Sequence, residues 1–143
     1  MKTIRLGVFE TNSSSTHSFT SCHTDYKIQS NIEPDWSGEF GWQFEFWHSP
    51  EEKLAYICRC LMGYCEDSQE NVDKALKPLQ ERLENLGVHF EIPTIEELDE
   101  SYGYVDHSGD YRYDIEEIIK TDEGLLSFLF NNNNGIQGGN DNC

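Results

Sequence analysis

Phe40-Gly41-Trp42-Gln43-Phe44-Glu45-Phe46-Trp47 sets the first limit on what this chain can become, because eight residues carry five aromatic rings. Phe40, Trp42, Phe44 and Phe46 alternate with Gly41, Gln43 and Glu45, which is the period of a strand with one face buried. So much apolar area has to be covered, so the segment is expected at the centre of a core, not in a cofactor or base-stacking site. Directly after it, Ser49-Pro50-Glu51-Glu52 opens a helix: Ser49 caps, Pro50 suits the first helical position and Glu52 closes a capping box. The spacing predicts a helix over residues 50–65, with Leu54, Ile57, Cys58, Leu61, Met62 and Cys65 facing the core and Cys60 pointing away. A second helix is expected over residues 68–86, with an apolar stripe of Val72, Ala75, Leu76, Leu79, Leu83 and Leu86. Pro78 should kink it and Gly87 should stop it.

Shorter segments complete the fold class. Residues 3–9 alternate with Ile4, Leu6 and Val8 on one face, and residues 18–22 and 88–92 are β-compatible. Thr94-Ile95-Glu96-Glu97 repeats the capping-box pattern and should start a short helical turn. Tyr102-Gly103-Tyr104-Val105 and Tyr111-Arg112-Tyr113 flank His107-Ser108-Gly109-Asp110 as a hairpin would, and Asp114 can cap a helix carrying Ile115, Ile118 and Ile119. These elements predict an α+β fold: a single domain over residues 1–131, with an antiparallel sheet and helices packed on one face. The Asn- and Gly-rich residues 132–143 read as a flexible tail.

Charge narrows the partners. With 27 acidic against 10 basic residues the net charge is −17, which repels nucleic acid and anionic membranes and attracts basic protein surfaces. Eleven of the acids fall between Glu96 and Glu123, opposed only by Arg112 and Lys120, a net −9 over 28 residues. The ordinary meaning of such a run is a solvated face. Its interleaved tyrosines support a second meaning. Carboxylates fixed on a scaffold can imitate the phosphates of a duplex, and tyrosines add contact area at low entropic cost. The candidate partner-binding set is therefore Glu96, Glu97, Asp99, Glu100, Tyr102, Tyr104, Asp106, Asp110, Tyr111, Tyr113, Asp114, Glu116 and Glu117.

The polar stretch Glu10-Thr11-Asn12-Ser13-Ser14-Ser15-Thr16-His17-Ser18 joins two strand-like segments. Its side chains can bond nearby backbone amides and hold a turn with no ligand at all. The alternative is a cradle for phosphate or carboxylate built from Asn12, Ser13, Ser14, Ser15 and His17. A serine nucleophile is a weaker reading, since the stretch lacks a G-x-S-x-G elbow. His23, His48, Asn140 and Asp141 are further polar groups, but nothing in their spacing brings them to the stretch.

Five cysteines, an odd number, fit reduced thiols better than a disulfide framework. Cys58, Cys60 and Cys65 sit within a helical pattern instead of zinc knuckles, so no metal and no cofactor is expected. Met1-Lys2-Thr3-Ile4-Arg5 reads as the start of a strand and not as a signal peptide, which points to a cytoplasmic protein.

Gly7-Val8-Phe9-Glu10-Thr11-Asn12-Ser13-Ser14-Ser15-Thr16-His17-Ser18, together with Gly138-Gly139-Asn140-Asp141-Asn142, resembles the ends of small uncharacterised acidic proteins of tailed phages and prophages. The resemblance implies a viral origin and no particular activity. In size and charge the chain is also similar to DNA-mimicking anti-CRISPR and anti-restriction inhibitors. The expectation is a non-enzymatic inhibitor in the bacterial cytoplasm that occupies the basic channel of a nucleic-acid-binding host protein, such as a CRISPR effector nuclease. The alternative is a small enzyme or a nucleotide- or phosphate-binding protein using residues 10–18.

Overall fold

A computed structural model describes residues 2–6, 15–21, 26–40, 46–63, 67–101, 103–105 and 112–140, of which 2–6, 15–21, 104–105, 112–114 and 137–140 by their backbone only. In chain order the elements are β1 (Lys2–Leu6), β2 (Ser15–Ser21), β3 (Glu39–Phe40), β4 (Phe46–Trp47), α1 (Pro50–Met62), α2 (Gln69–Asn85), α3 (Ile95–Ser101), β5 (Tyr104–Val105), α4 (Arg112–Ile118), α5 (Asp122–Phe130) and β6 (Gly135–Asn140). The larger sheet has the order β1-β2-β6-β4 with antiparallel neighbours, and β3 pairs in parallel with β5 in a separate two-stranded sheet. The chain is an α+β domain with helices packed on one face of the antiparallel sheet.

α1 forms because its start is capped as the sequence required. The Glu52 amide donates to Ser49 Oγ at 3.2 Å, and that hydroxyl donates to Glu52 Oε1 at 2.8 Å. Gly63, at φ 57°, closes the helix by donating its amide to the Arg59 carbonyl. The middle of α1 is buried all round: Tyr56, Ile57, Cys58, Arg59 and Cys60 are all buried in succession. Cys60 therefore does not point away from the core, because α2, α4, α5 and β5 all pack against the helix.

α2 keeps the one-sided pattern, burying Val72, Leu76, Leu79 and Leu83. It runs continuously through Pro78, which lies on the exposed side, where water can take the carbonyl that proline leaves unpaired. Gly87, at φ 87°, ends it. The expected strand over residues 88–92 is reduced to one parallel bridge between Asn31 and His89. Val88 and Phe90 are buried, but the Gln80 side chain takes the Phe90 carbonyl at 2.9 Å in place of a neighbouring strand.

The aromatic segment is divided between the two sheets. Phe40 is fully buried and meets the rings of Trp47 and Tyr56 edge-on at 5.0 and 5.1 Å. Phe46, by contrast, is 44% exposed, so Phe40 and Phe46 do not share a buried face. The reason is pairing: β4 lies beside β6, so Trp47 stands opposite buried Ile136 while Phe46 takes the other face. There Phe46 stacks on His48 and covers Gly135, where a Cβ would collide with its ring. Trp42 and Phe44 lie outside the described residues.

Within the expected tail, Gly135–Asn140 form the strand β6. Asn131 and Asn134 are buried, and β6 lies between β2 and β4 within the sheet. Buried Lys53 holds the turn that leads into it, donating from Nζ to the Asn131 and Asn134 carbonyls at 3.1 and 3.0 Å. A composition that lacks apolar alternation is ordered here by its neighbours' hydrogen bonds. Among the described residues, no helix is long and apolar enough to cross a membrane.

Candidate functional site

α3 is a seven-residue helix, too short to persist on its own. Four devices hold it. The capping box forms in both directions, with the Thr94 amide donating to Glu97 Oε2 at 2.8 Å and the Glu97 amide to Thr94 Oγ1 at 3.1 Å. Gln69 of α2 clamps the entry, donating to the Pro93 carbonyl at 3.1 Å and accepting from the Ile95 amide at 3.0 Å. Leu98 anchors the inner side in the core. At the exit, buried Arg59 donates from Nη2 to Ser101 Oγ at 3.1 Å and to the Trp36 carbonyl at 2.8 Å. Gly103 follows because a Cβ there would collide with that same Trp36 carbonyl.

On this fixed helix Glu96, Glu97, Asp99 and Glu100 are all exposed, and among the described residues none of them makes an ion pair. Glu97 is partly occupied by its cap; the other three are not hydrogen-bonded within the described set. Glu96–Asp99, Glu96–Glu100 and Glu97–Glu100 are like-charge pairs at i,i+3 or i,i+4 spacing, each costing roughly 0.2–0.5 kcal/mol. Asp99 and Glu100 also stand in the last turn, where the helix dipole favours cations and this helix has none. The placement of Asp99 and Glu100 therefore opposes the helix that carries them, whereas Glu96 and Glu97 stand in the first turn, where the dipole favours acids.

The rest of the predicted partner-binding set is dispersed. Glu116 and Glu117 are exposed on α4. Tyr104 lies in β5, and Tyr113 and Asp114 lie within α4. The hairpin expectation is thus corrected: β5 pairs in parallel with β3, and Arg112–Ile118 is helical. Ile115 is buried, with Ile118 and Ile119 against the core, and this helical period begins before Asp114, which is inside the helix and not its cap. Tyr102, Asp106, Asp110 and Tyr111 lie outside the described residues.

Of the polar stretch, Asn12, Ser13 and Ser14 lie outside the described residues, while Ser15 and His17 belong to β2. The register pairs Ser15 with Asn140, Thr16 with Gly139 and His17 with Gly138. Two stretches from opposite ends of the chain are therefore neighbours, a meeting that no local spacing reveals. His48 sits elsewhere, stacked on Phe46.

Other groups were silent in the sequence. Burial pushes the Lys53 ammonium down to about 8, against the opposing pull of Glu52. Burial also pushes the Cys58 thiol up, with Cys60 adding to the rise, which keeps it protonated and a poor nucleophile. Cys22, Cys65 and Cys143 lie outside the described residues, and among those described no cluster of His, Cys, Asp or Glu could hold a metal. An open cavity of about 300 Å³ lies between Tyr26, Lys27 and the turn at Asn131–Asn133, and its lining contains no acid–base pair. Comparison of the chain with protein-family models, with curated proteins and with solved structures returns no match in any of the three.

Proposed function

We propose that the protein is a phage-encoded, non-enzymatic inhibitor of the anti-CRISPR or anti-restriction kind, which occupies the basic nucleic-acid channel of a host defence protein as a DNA mimic. The observation that carries this reading is the exposure of Glu96, Asp99 and Glu100, without a counter-charge among the described residues, on a helix held at both ends. Acidic side chains whose Cβ atoms stand about 5–6 Å apart on such a helix offer a Lys- or Arg-lined channel charges it can pair with, and the like-charge repulsion is relieved on binding. Glu116 and Glu117 on α4 add to the acidic surface. The resemblance of the chain's two ends to phage proteins supports the viral origin, and the inhibitor acts in the cytoplasm of the bacterial host.

Cleavage by CRISPR effector and restriction nucleases tests the reading. Inhibition should weaken steeply with salt and disappear in the Glu96→Lys/Asp99→Lys/Glu100→Lys variant, which leaves the Glu97 cap intact. Inhibition that survives this reversal sinks it.

A second reading, a small enzyme or a nucleotide- or phosphate-binding protein using residues 10–18, is favoured by one observation. Ser15, Thr16 and His17 lie in register with Asn140, Gly139 and Gly138.

A further inference from the structure

The larger sheet stands apart from the rest of this acidic chain. β1, β2, β4 and β6 comprise twenty residues without a single Asp or Glu, in a chain that has 27 of them, and they include His17; Arg5, in register with Ser18, falls on the opposite face from His17. Here an anion meets no carboxylate from the strands themselves.

Register divides the sheet's positions between two faces. Ile4, Phe19, Ile136 and Trp47 form one row across the four strands, and Ile136 and Trp47 of that row are buried in the core. Alternate residues share a face, so the next row on the same face is Leu6, His17 and Gly138, and the one after it is Ser15 and Asn140. By register the same face therefore carries Ser15, His17 and Asn140 beyond its apolar positions. At the middle of this group Gly138 contributes no side chain. Adjacent glycines weaken a strand interior, and a glycine there marks a place where a ligand or another backbone comes close.

We propose that the end of the sheet where the register places Ser15, His17 and Asn140 at neighbouring positions around Gly138 binds a phosphate group. The proposal rests on the second functional reading and narrows it to these residues. A hydroxyl, an imidazole and a carboxamide can all donate, and a tetrahedral oxyanion can accept from donors on separate strands.

Thermal unfolding of the full chain, with inorganic phosphate or adenosine monophosphate added at ionic strength matched by chloride, tests the proposal. A saturable rise in Tm is expected. Ser15→Ala, His17→Ala and Asn140→Ala should each weaken apparent affinity at least tenfold, and Gly138→Ala should do so without removing a donor. Thr16→Ala and Gln137→Ala, on the opposite face, should bind as wild type, as should the triple reversal on α3. Circular dichroism identifies any variant that fails to fold, and phosphorus NMR line broadening on the folded ones provides an independent affinity. Tighter binding of the nucleotide makes it the ligand, and equal binding makes the phosphate group sufficient; either upholds the site. No shift beyond chloride overturns it, as does equal loss from both faces. Loss in Ser13→Ala and Ser14→Ala with none in Asn140→Ala overturns this site while leaving the second reading in place.

Discussion

Arg59 donates to Ser101 across 3.1 Å and so ties the last turn of α3 to the most deeply buried helix of the domain. The same nitrogen reaches the Trp36 carbonyl, so one guanidinium fixes both the exit of the acidic helix and the loop beside it. Hydrogen bonds from charged donors contribute about 1.5–3 kcal/mol each, and neutral ones about 1. Arg59→Met, which loses both bonds, should therefore lower stability by roughly 3–6 kcal/mol, more than Ser101→Ala, which loses one of them, at roughly 1.5–3 kcal/mol, as read from urea unfolding. If α3 serves a partner, Ser101→Ala should also weaken that binding while far-UV circular dichroism stays unchanged.

Removing charge from α3 should separate stability from function. Three like-charge pairs and two acids at the wrong end of the helix dipole oppose its formation. Glu96→Gln/Asp99→Asn/Glu100→Gln should raise stability by up to about 1 kcal/mol and weaken partner binding. A fall in stability would mean that these acids serve the fold.

Lys53 gives stability a pH dependence of known sign. Its folded value of about 8 lies below its ordinary 10.5, so between these limits the unfolded chain binds the extra proton. Stability from this group therefore rises with pH from 8 to 10.5, and the cost of burying the ammonium is fully present below 8. Cys58 acts in the opposite sense above its ordinary 9.0, since the unfolded thiol ionises first. Denaturant unfolding from pH 7 to 10 should show wild type gaining on Lys53→Met by on the order of 1–3 kcal/mol. A difference that is constant with pH would contradict this account.

Truncation after Asn134 tests the place of the C-terminal residues. It removes β6, which pairs with both β2 and β4 and supplies buried Ile136. Circular dichroism and thermal unfolding should show loss of the cooperative fold. A truncated protein with unchanged Tm would return these residues to the role of a tail.

What the sequence made legible follows from how local each signal is. Ser49 and Thr94 begin their helices with the side-chain bonds their spacing implies, and α2 buries the stripe its period marks. Each of these lies within one helix. β6 was illegible because Gly135, Gly138 and Gly139 carry no pattern; its order comes from pairing with residues more than a hundred positions away. Phe46 misled for a related reason: alternation gives the period of a strand but not the point at which its partner changes. The acidity of residues 96–100 was plain, but the clamp by Gln69 and Arg59 was not, since both arrive from other helices.

Displacement by nucleic acid tests the central claim most directly. Immobilised protein is exposed to bacterial lysate, and the retained proteins are eluted with duplex DNA, then quantified by mass spectrometry beside the Glu96→Lys/Asp99→Lys/Glu100→Lys variant. The account predicts basic nucleic-acid-binding proteins that DNA elutes from the wild type and that the variant never retains. Partners that DNA does not displace, or that the variant retains equally, would contradict it.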